Sequence, residues 1–375
     1  MPETEIRFDL AIHDASSPHL IRQLARADAL ALAIGSLPIP LELRESLNLL
    51  HIARAVRGTT GIEGIDVTEE EAERIVVADV EPALAKTRSQ TEREVRNAAA
   101  VMRDIAATLR HAPNATVTEA QVARIHRLMT EGVDYPHNTP GVYRSHAVSV
   151  GAYVPPRSRS EVQRLMSEFV EWVNGPRARA LHPIVRAVAA HYYLVSIHPF
   201  GDGNGRTSRA VESFLLFQAR VNILGFYSLA NFYYRNRSGY IQALEDVQRH
   251  ARRDLTGFVE FAVGGLVEEL EEIWLHVVSE MKRISFMQHA HQTLVLSRTY
   301  SASAGERLYR LASGLTEPVA LSAIRDGTHV LGGLYRNLSA KTLTRDIALL
   351  QELKLVNVQD RRVSANLDLM TDFTL

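Results

Sequence analysis

Twelve consecutive residues, His198-Pro199-Phe200-Gly201-Asp202-Gly203-Asn204-Gly205-Arg206-Thr207-Ser208-Arg209, bring together a general base, a hard-metal ligand, a glycine-lined cradle and two guanidiniums. That set suits holding a nucleotide's phosphates while deprotonating the group that attacks them. A neutral imidazole accepts a proton near pH 7, and a lone carboxylate with phosphate oxygens and water suits Mg2+. Glycines let backbone N–H groups approach phosphate, and a helix N-terminus favours negative charge. Taken singly, the residues have plainer readings. A His at a helix end packs or caps, Asp202-Gly203 and Asn204-Gly205 are turn dipeptides, and Arg206 and Arg209 make a solvated helix face. Their coincidence in one window, in a workable order, points to chemistry.

The flanking sequence must position these groups. His182 to Ile197 is mostly apolar with recurrences three and four apart, which predicts a buried helix from Pro183 to Pro199. His198 then sits at a helix C-terminus, facing a cleft. Thr207 to Gln218 reads as a second helix with Ala210, Phe214, Leu215 and Phe217 for burial, and Gly201–Gly205 as the turn between.

At this point the chain resembles the Fic (filamentation induced by cAMP) family, whose signature is HPFx(D/E)GNGRxxR; every specified position matches. The resemblance extends to Thr91–Asn97, Ile125–Met129 and Gly141–Arg144, and covers about residues 90–265. It implies a mainly α fold, a helical core with a short β-hairpin flap, and transfer of AMP from ATP to a protein hydroxyl of Ser, Thr or Tyr, self-modification included. His198 would be the base and Asp202 the Mg2+ ligand. Asn204 and the backbone at Gly203 and Gly205 would stabilise the α-phosphate, with Arg206 anchoring loop and phosphates and Arg209 gripping the γ-phosphate. The flap of Val148, Ser149, Val150, Gly151, Ala152 and Tyr153 would pair with an extended target segment. Asn236 and Tyr240 would lie near the adenine. Gly205 stands where a kinase-like branch of the family carries lysine, which favours AMP transfer over phosphorylation. Inhibited Fic proteins with winged domains often pair, so the resemblance leaves a homodimer open here.

A second motif lies far upstream. On mechanics alone Thr60 and Glu63 fit a helix-starting capping box closed by Gly64. The resemblance gives another reading: Thr59, Glu63 and Gly64 match (S/T)xxxE(G/N), an inhibitory element whose carboxylate would pair with Arg209 in place of the γ-phosphate. The same carboxylate would alternatively orient water to remove AMP from a modified protein.

Composition excludes other chemistries. Of 375 residues, 23% are charged and the net charge is −1, so no global field draws nucleic acid or membrane. There is no cysteine, which excludes disulfides, thiol catalysis and thiolate metal sites. The N-terminus does not read as a signal peptide and no run reads as a membrane span, so a cytoplasmic protein is expected.

Helical patterning dominates from about Leu41, with capping boxes at Thr68/Glu71 and Thr118/Gln121. His146–Val154 alternates loosely and reads as a two-stranded ribbon. The order predicts a helical unit over 1–88, a core over 89–285 closed by a helix from Leu255 to Ser285, and a third unit over 286–375. In the last, Gly305–Ser313, Val319–Arg325 and Ser339–Leu353 read as helices, and Val356–Val358 and Val363–Ala365 as a hairpin around Asp360-Arg361-Arg362. That order resembles a winged helix-turn-helix. It would serve either DNA, through Lys341, Thr344, Arg345 and Arg361-Arg362, or protein contacts. A third reading of the whole chain is a DNA-binding regulator in which the core senses nucleotide.

Overall fold

A computed structural model describes residues 6–9, 18–78, 89–151, 153–221, 228–249 and 254–371. Two compact units divide at Trp274 and Leu275. In order, the first holds α1 (Pro18–Ser36), α2 (Leu41–Ile62), α3 (Glu69–Ala78), α4 (Gln90–His111), α5 (Glu119–Thr130), α6 (Arg159–Asn174), the single turn α7 (Pro176–Arg179), α8 (Pro183–Ile197), α9 (Asn204–Gln218), α10 (Ala230–Arg235), α11 (Arg237–Arg249) and most of α12 (Thr256–His291). The chain is mainly α-helical, and no helix among the described residues is long and apolar enough to cross a membrane.

Local chemistry starts these helices where the sequence predicts. Thr68 and Glu71 satisfy each other's backbone N–H groups in a reciprocal capping box. Thr118 accepts from the Gln121 N–H, and Ser89 from that of Glu92. Each such cap stabilises its helix by about 1 kcal/mol. The predicted helix at Pro183 starts on its proline, with His182 as cap, and ends at His198. α8 is buried on nearly every face, which explains its apolar run. It packs along α9, which in turn meets α4, α5 and α2.

Four expectations need correction. The helix predicted from Thr207 begins at Asn204, so Gly201–Gly203 makes the turn and Asn204 and Gly205 form the first helical turn. The flap is no ribbon: Val150 and Tyr153 make one isolated bridge across Gly151, whose φ of 55° turns the chain at once. Ala152 lies outside the described residues. Thr60 and Glu63 do not start a helix. They lie at the end of α2, where Thr60 donates back to the Val56 carbonyl and Glu63 is the C-cap. Finally, α1 precedes the helices that the patterning picks out.

The second unit, Leu275–Leu375, has its own core, including Phe286, Leu294, Leu308, Leu311, Leu343, Ile347, Leu350, Val356 and Val363. Its elements are the end of α12, α13 (Ala302–Gly314), β1 (Val319–Ala320), α14 (Leu321–Arg325), α15 (Ala340–Glu352), β2 (Val356–Gln359) and β3 (Arg362–Ala365). Val319–Ala320, predicted as helix, is instead a strand, because it pairs with β3 at Val319↔Val363. The sheet order is β1-β3-β2, all antiparallel. The hairpin turns on Asp360 and Arg361, both at positive φ, as a two-residue turn of matching twist requires. Lys341, Thr344 and Arg345 are exposed on α15. The Arg362 guanidinium donates to the Pro318 carbonyl, so it is engaged inside the unit.

Candidate active site

The α8–α9 turn is held from three sides. His126 of α5 is fully buried and stacks flat on Phe200, with ring centroids 3.7 Å apart. The Gly141 N–H donates to its Nδ1, which fixes the tautomer, so Nε2–H donates to the Asp202 carbonyl at 2.9 Å. Burial pushes the His126 pKa down to about 4, against the opposing pull of that carbonyl and with help from Arg206. Asn204 clamps the turn internally: its Oδ1 accepts from the Phe200 N–H and its Nδ2 donates to the Phe200 carbonyl. Both polar atoms of its amide are therefore committed to the loop. Gly203 sits at φ +73° with Thr130 Cγ2 only 2.8 Å from where a Cβ would be, so the tight turn needs glycine there.

His198 has left-handed backbone at the end of α8. Its Nδ1 lies 3.2 Å from the Val195 carbonyl, which can only accept. Nδ1 is thus the protonated nitrogen and Nε2 carries the lone pair. Burial pushes the ring's pKa down to about 4; the Val195 carbonyl, Glu63 and Asp202 oppose this and Arg144 adds to it. The imidazole is neutral at pH 7, as a base must be. Arg144 is buried and fixes the neighbourhood, donating to the carbonyls of His198, His146 and Pro156. The flap is thereby tied to the α8–α9 turn. Within the flap Ser149, Val150 and Gly151 are exposed and Val148 is half-buried. Tyr153 is buried and donates to the Ser196 carbonyl, which makes it an anchor.

The N–H groups of Asn204, Gly205 and Arg206 precede the first hydrogen bond of α9, from Thr207 N–H to the Gly203 carbonyl. N–H groups in this position at a helix start are the kind that an anion can accept from. The two arginines are not a solvated face; both are buried. Arg206 donates to Glu94 at 2.8 Å, to Tyr135 and to Asp202 at 3.1 Å. It also lies over the Tyr135 ring. It anchors the loop.

Arg209 faces the other way, toward α2. Nε donates to the Thr59 hydroxyl at 3.0 Å, and Nη2 to the Thr59 carbonyl at 3.0 Å and to Glu63 Oε1 at 2.7 Å. Burial alone would raise the Glu63 pKa, but the charge and hydrogen bond of Arg209, with Arg206 and His198 adding, hold it below the usual carboxylate range. Glu63 Oε1 lies 2.6 Å from where a Cβ on Gly205 would stand, so the glycine admits the carboxylate to the mouth of the cradle. Gly64, at φ +91°, ends the helix there.

Asp202 tests the expected Mg2+. Its Oδ1 receives Arg206 and its own loop's Gly203 N–H, while Oδ2 takes no hydrogen bond among the described residues; the side chain is 45% exposed. One outward carboxylate oxygen fits a cation held mainly by phosphates and water. Among the described residues no group of three or more His, Asp or Glu side chains is placed to hold a metal ion by itself.

Several contributors carry no local sequence signal. Glu94, Tyr135, His126 and Arg144 lie in helices and loops whose patterning shows only amphipathy, although Glu94, His126 and Arg144 fall within the segments that carry the resemblance. Behind Arg209, Tyr240 Oη is 3.4 Å from Nη1 and meets His191 Nε2, while His191 Nδ1 meets Glu212 and Tyr233 donates to Glu212. Tyr240 is thus buried behind the arginine, and Asn236 is exposed at the end of α10.

Residues 116–216 match the Fic/DOC family. Curated relatives named protein adenylyltransferase Fic include that of Aedes aegypti, 40% identical over 126 residues (34% of this chain and 24% of the relative). The Drosophila sechellia protein is 32% identical over 197 residues (52% and 36%). The chain thus covers between 24% and 36% of these relatives' length. Among solved structures, a Fic family protein from Desulfovibrio desulfuricans aligns over 97% of this chain and 98% of its own, with TM-score 0.56 and 17% identity. Fic-1 from C. elegans aligns over 70% and 72%, with TM-score 0.54 and 22% identity. These two likenesses concern the fold alone. The matched stretch and the complete motif at its end show that this chain carries a Fic domain.

Proposed function

We propose that the protein is an autoinhibited protein adenylyltransferase that moves AMP from ATP to a Ser, Thr or Tyr hydroxyl, its own chain included. The observation that carries this reading is the Glu63–Arg209 pair beside Gly205, with neutral His198 across the turn. The target hydroxyl gives its proton to His198 Nε2 as its oxygen bonds to the α-phosphorus. The bond to the bridging oxygen breaks and pyrophosphate leaves. The N–H groups of Asn204, Gly205 and Arg206 take the growing negative charge. Mg2+, held by Asp202, would neutralise phosphate charge. Arg209, freed from Glu63, would hold the γ-phosphate; while paired, its donors are occupied. The exposed flap residues Ser149 to Gly151 offer backbone for an extended target strand.

The test is α-labelled ATP with the protein, Glu63→Gly and His198→Ala. Label should enter protein, increase in Glu63→Gly, and drop by about 10²–10⁴ in His198→Ala. No α-label in either of the first two, at adequate Mg2+, ends this reading. A second reading, removal of AMP from a modified protein, draws on the Glu63 carboxylate at the cradle mouth, where it would orient water. AMP release that requires Glu63 would favour it.

For the C-terminal unit we propose a winged-helix role with DNA along exposed Lys341, Thr344 and Arg345. Binding should be salt-sensitive and lost in Lys341→Ala plus Arg345→Ala. No binding at low salt removes it.

A further inference from the structure

α2 delivers its carboxylate from a helix end, and helix ends fray unless they are tied. Here both sides of Glu63 are tied to α10 and the start of α11. Two glycines make the approach close: a Cβ on Gly58 would lie 2.5 Å from the Ala230 carbonyl carbon, and one on Gly61 would lie 2.4 Å from the Tyr234 ring. Immediately before Glu63, the Ile62 carbonyl, an end-of-helix acceptor, receives the Arg237 Nε–H at 3.0 Å. Just after it, Asp66 accepts from the Tyr234 hydroxyl at 2.9 Å, and the Val67 carbonyl from Arg57 Nε. The Arg57 guanidinium lies over the Tyr234 ring, 5.3 Å from its centroid. Arg237 is exposed and Tyr234 half-exposed, so this tie faces solvent while Arg209 does not.

We propose that Tyr234 and Arg237 are positioning residues that hold the α2 end, and so set the fraction of molecules in which Glu63 occupies Arg209. They touch neither nucleotide cradle nor base; they act through Glu63. This rests on the adenylyltransferase reading above only for its activity readout.

Tyr234→Phe removes the hydroxyl but keeps the ring, and Arg237→Met keeps the stem but removes the donor. Each is made with Glu63 present and in Glu63→Gly. With Glu63 present, each should raise α-label incorporation about fivefold, the weight of one hydrogen bond. In Glu63→Gly, which has no carboxylate to position, neither should add anything. Equal rises in both backgrounds, or none where Glu63→Gly itself rises, overturn the proposal. If Glu63→Gly incorporates no label, the transferase reading fails instead. Amide hydrogen exchange over residues 58–66 then decides the tie alone: about fivefold faster exchange in either variant supports it, and unchanged exchange overturns it.

Discussion

Arg206 and Arg209 stand one turn apart on α9, and both are almost wholly buried, yet their surroundings differ in kind. Arg206 is enclosed by groups of the loop and its supporting helices: Glu94 of α4, Tyr135 after α5, and Asp202 four residues back. Its carboxylate partner Glu94 is itself buried, and Tyr135 is half-buried against the guanidinium. Arg209 reaches across to α2, and its charged partner Glu63 keeps 36% of its side-chain surface exposed at the mouth of the cradle. The first pair is part of the fold. The second is an ion pair with one partner at the solvent edge, so a ligand anion can compete for it. The lesson is that two identical residues of one motif divide into a structural ion pair and an exchangeable one, according to whether the opposing carboxylate can leave.

The largest expected break in that comparison comes from Glu94→Ala. It takes the buried carboxylate from Arg206, which keeps only Tyr135 and the partly exposed Asp202, and should cost about 3 kcal/mol of stability, read as a large fall in Tm. An unchanged Tm would mean that Arg206 is as exchangeable as Arg209. Glu63→Gly should leave stability, read by Tm, within about 1 kcal/mol of the parent while raising α-label incorporation roughly tenfold or more. A stability loss like that of Glu94→Ala would make both pairs structural.

Acid should weaken the scaffold that both arginines share. His126 and His198 titrate near 4 when folded, against about 6.5 when unfolded. Between those values the unfolded chain binds more protons, so stability is full above pH 6.5 and falls as pH drops toward 4, by a few kcal/mol. Melting curves across pH 4–7 check this, and His126→Gln should flatten the slope. The smallest effect is expected from Gly203→Ala, which strains a positive-φ turn and presses on Thr130. It should cost about 1–2 kcal/mol and lower Tm without changing the ratio of Glu63→Gly to parent activity.

Helix starts were legible wherever a hydroxyl or proline marks them, as at Thr68, Thr118 and Pro183, because capping is local chemistry. The flap was not, since its shape follows from Gly151 turning early and from Arg144 joining the nearby His146 carbonyl to those of Pro156 and His198, 12 and 54 residues away. Val319–Ala320 likewise looked helical, because its strand character exists only through pairing with β3. Thr60 and Glu63 carry the spacing of a capping box, and only the long run of α2 before them shows that they end a helix.

The sequence by itself determined which chemical groups stand in the turn from His198 to Arg209. Imidazole, carboxylate, glycines and guanidiniums fall within twelve residues, where spacing alone nearly sets geometry. Even there it did not say that Asn204 clamps Phe200 or that Arg206 is a buried anchor. Tertiary structure alone decided which anion Arg209 meets at rest. Its partner lies 146 residues upstream. Only the packing of α2 on α10, through glycines that allow backbone contact, brings a helix end close enough for one carboxylate to reach it.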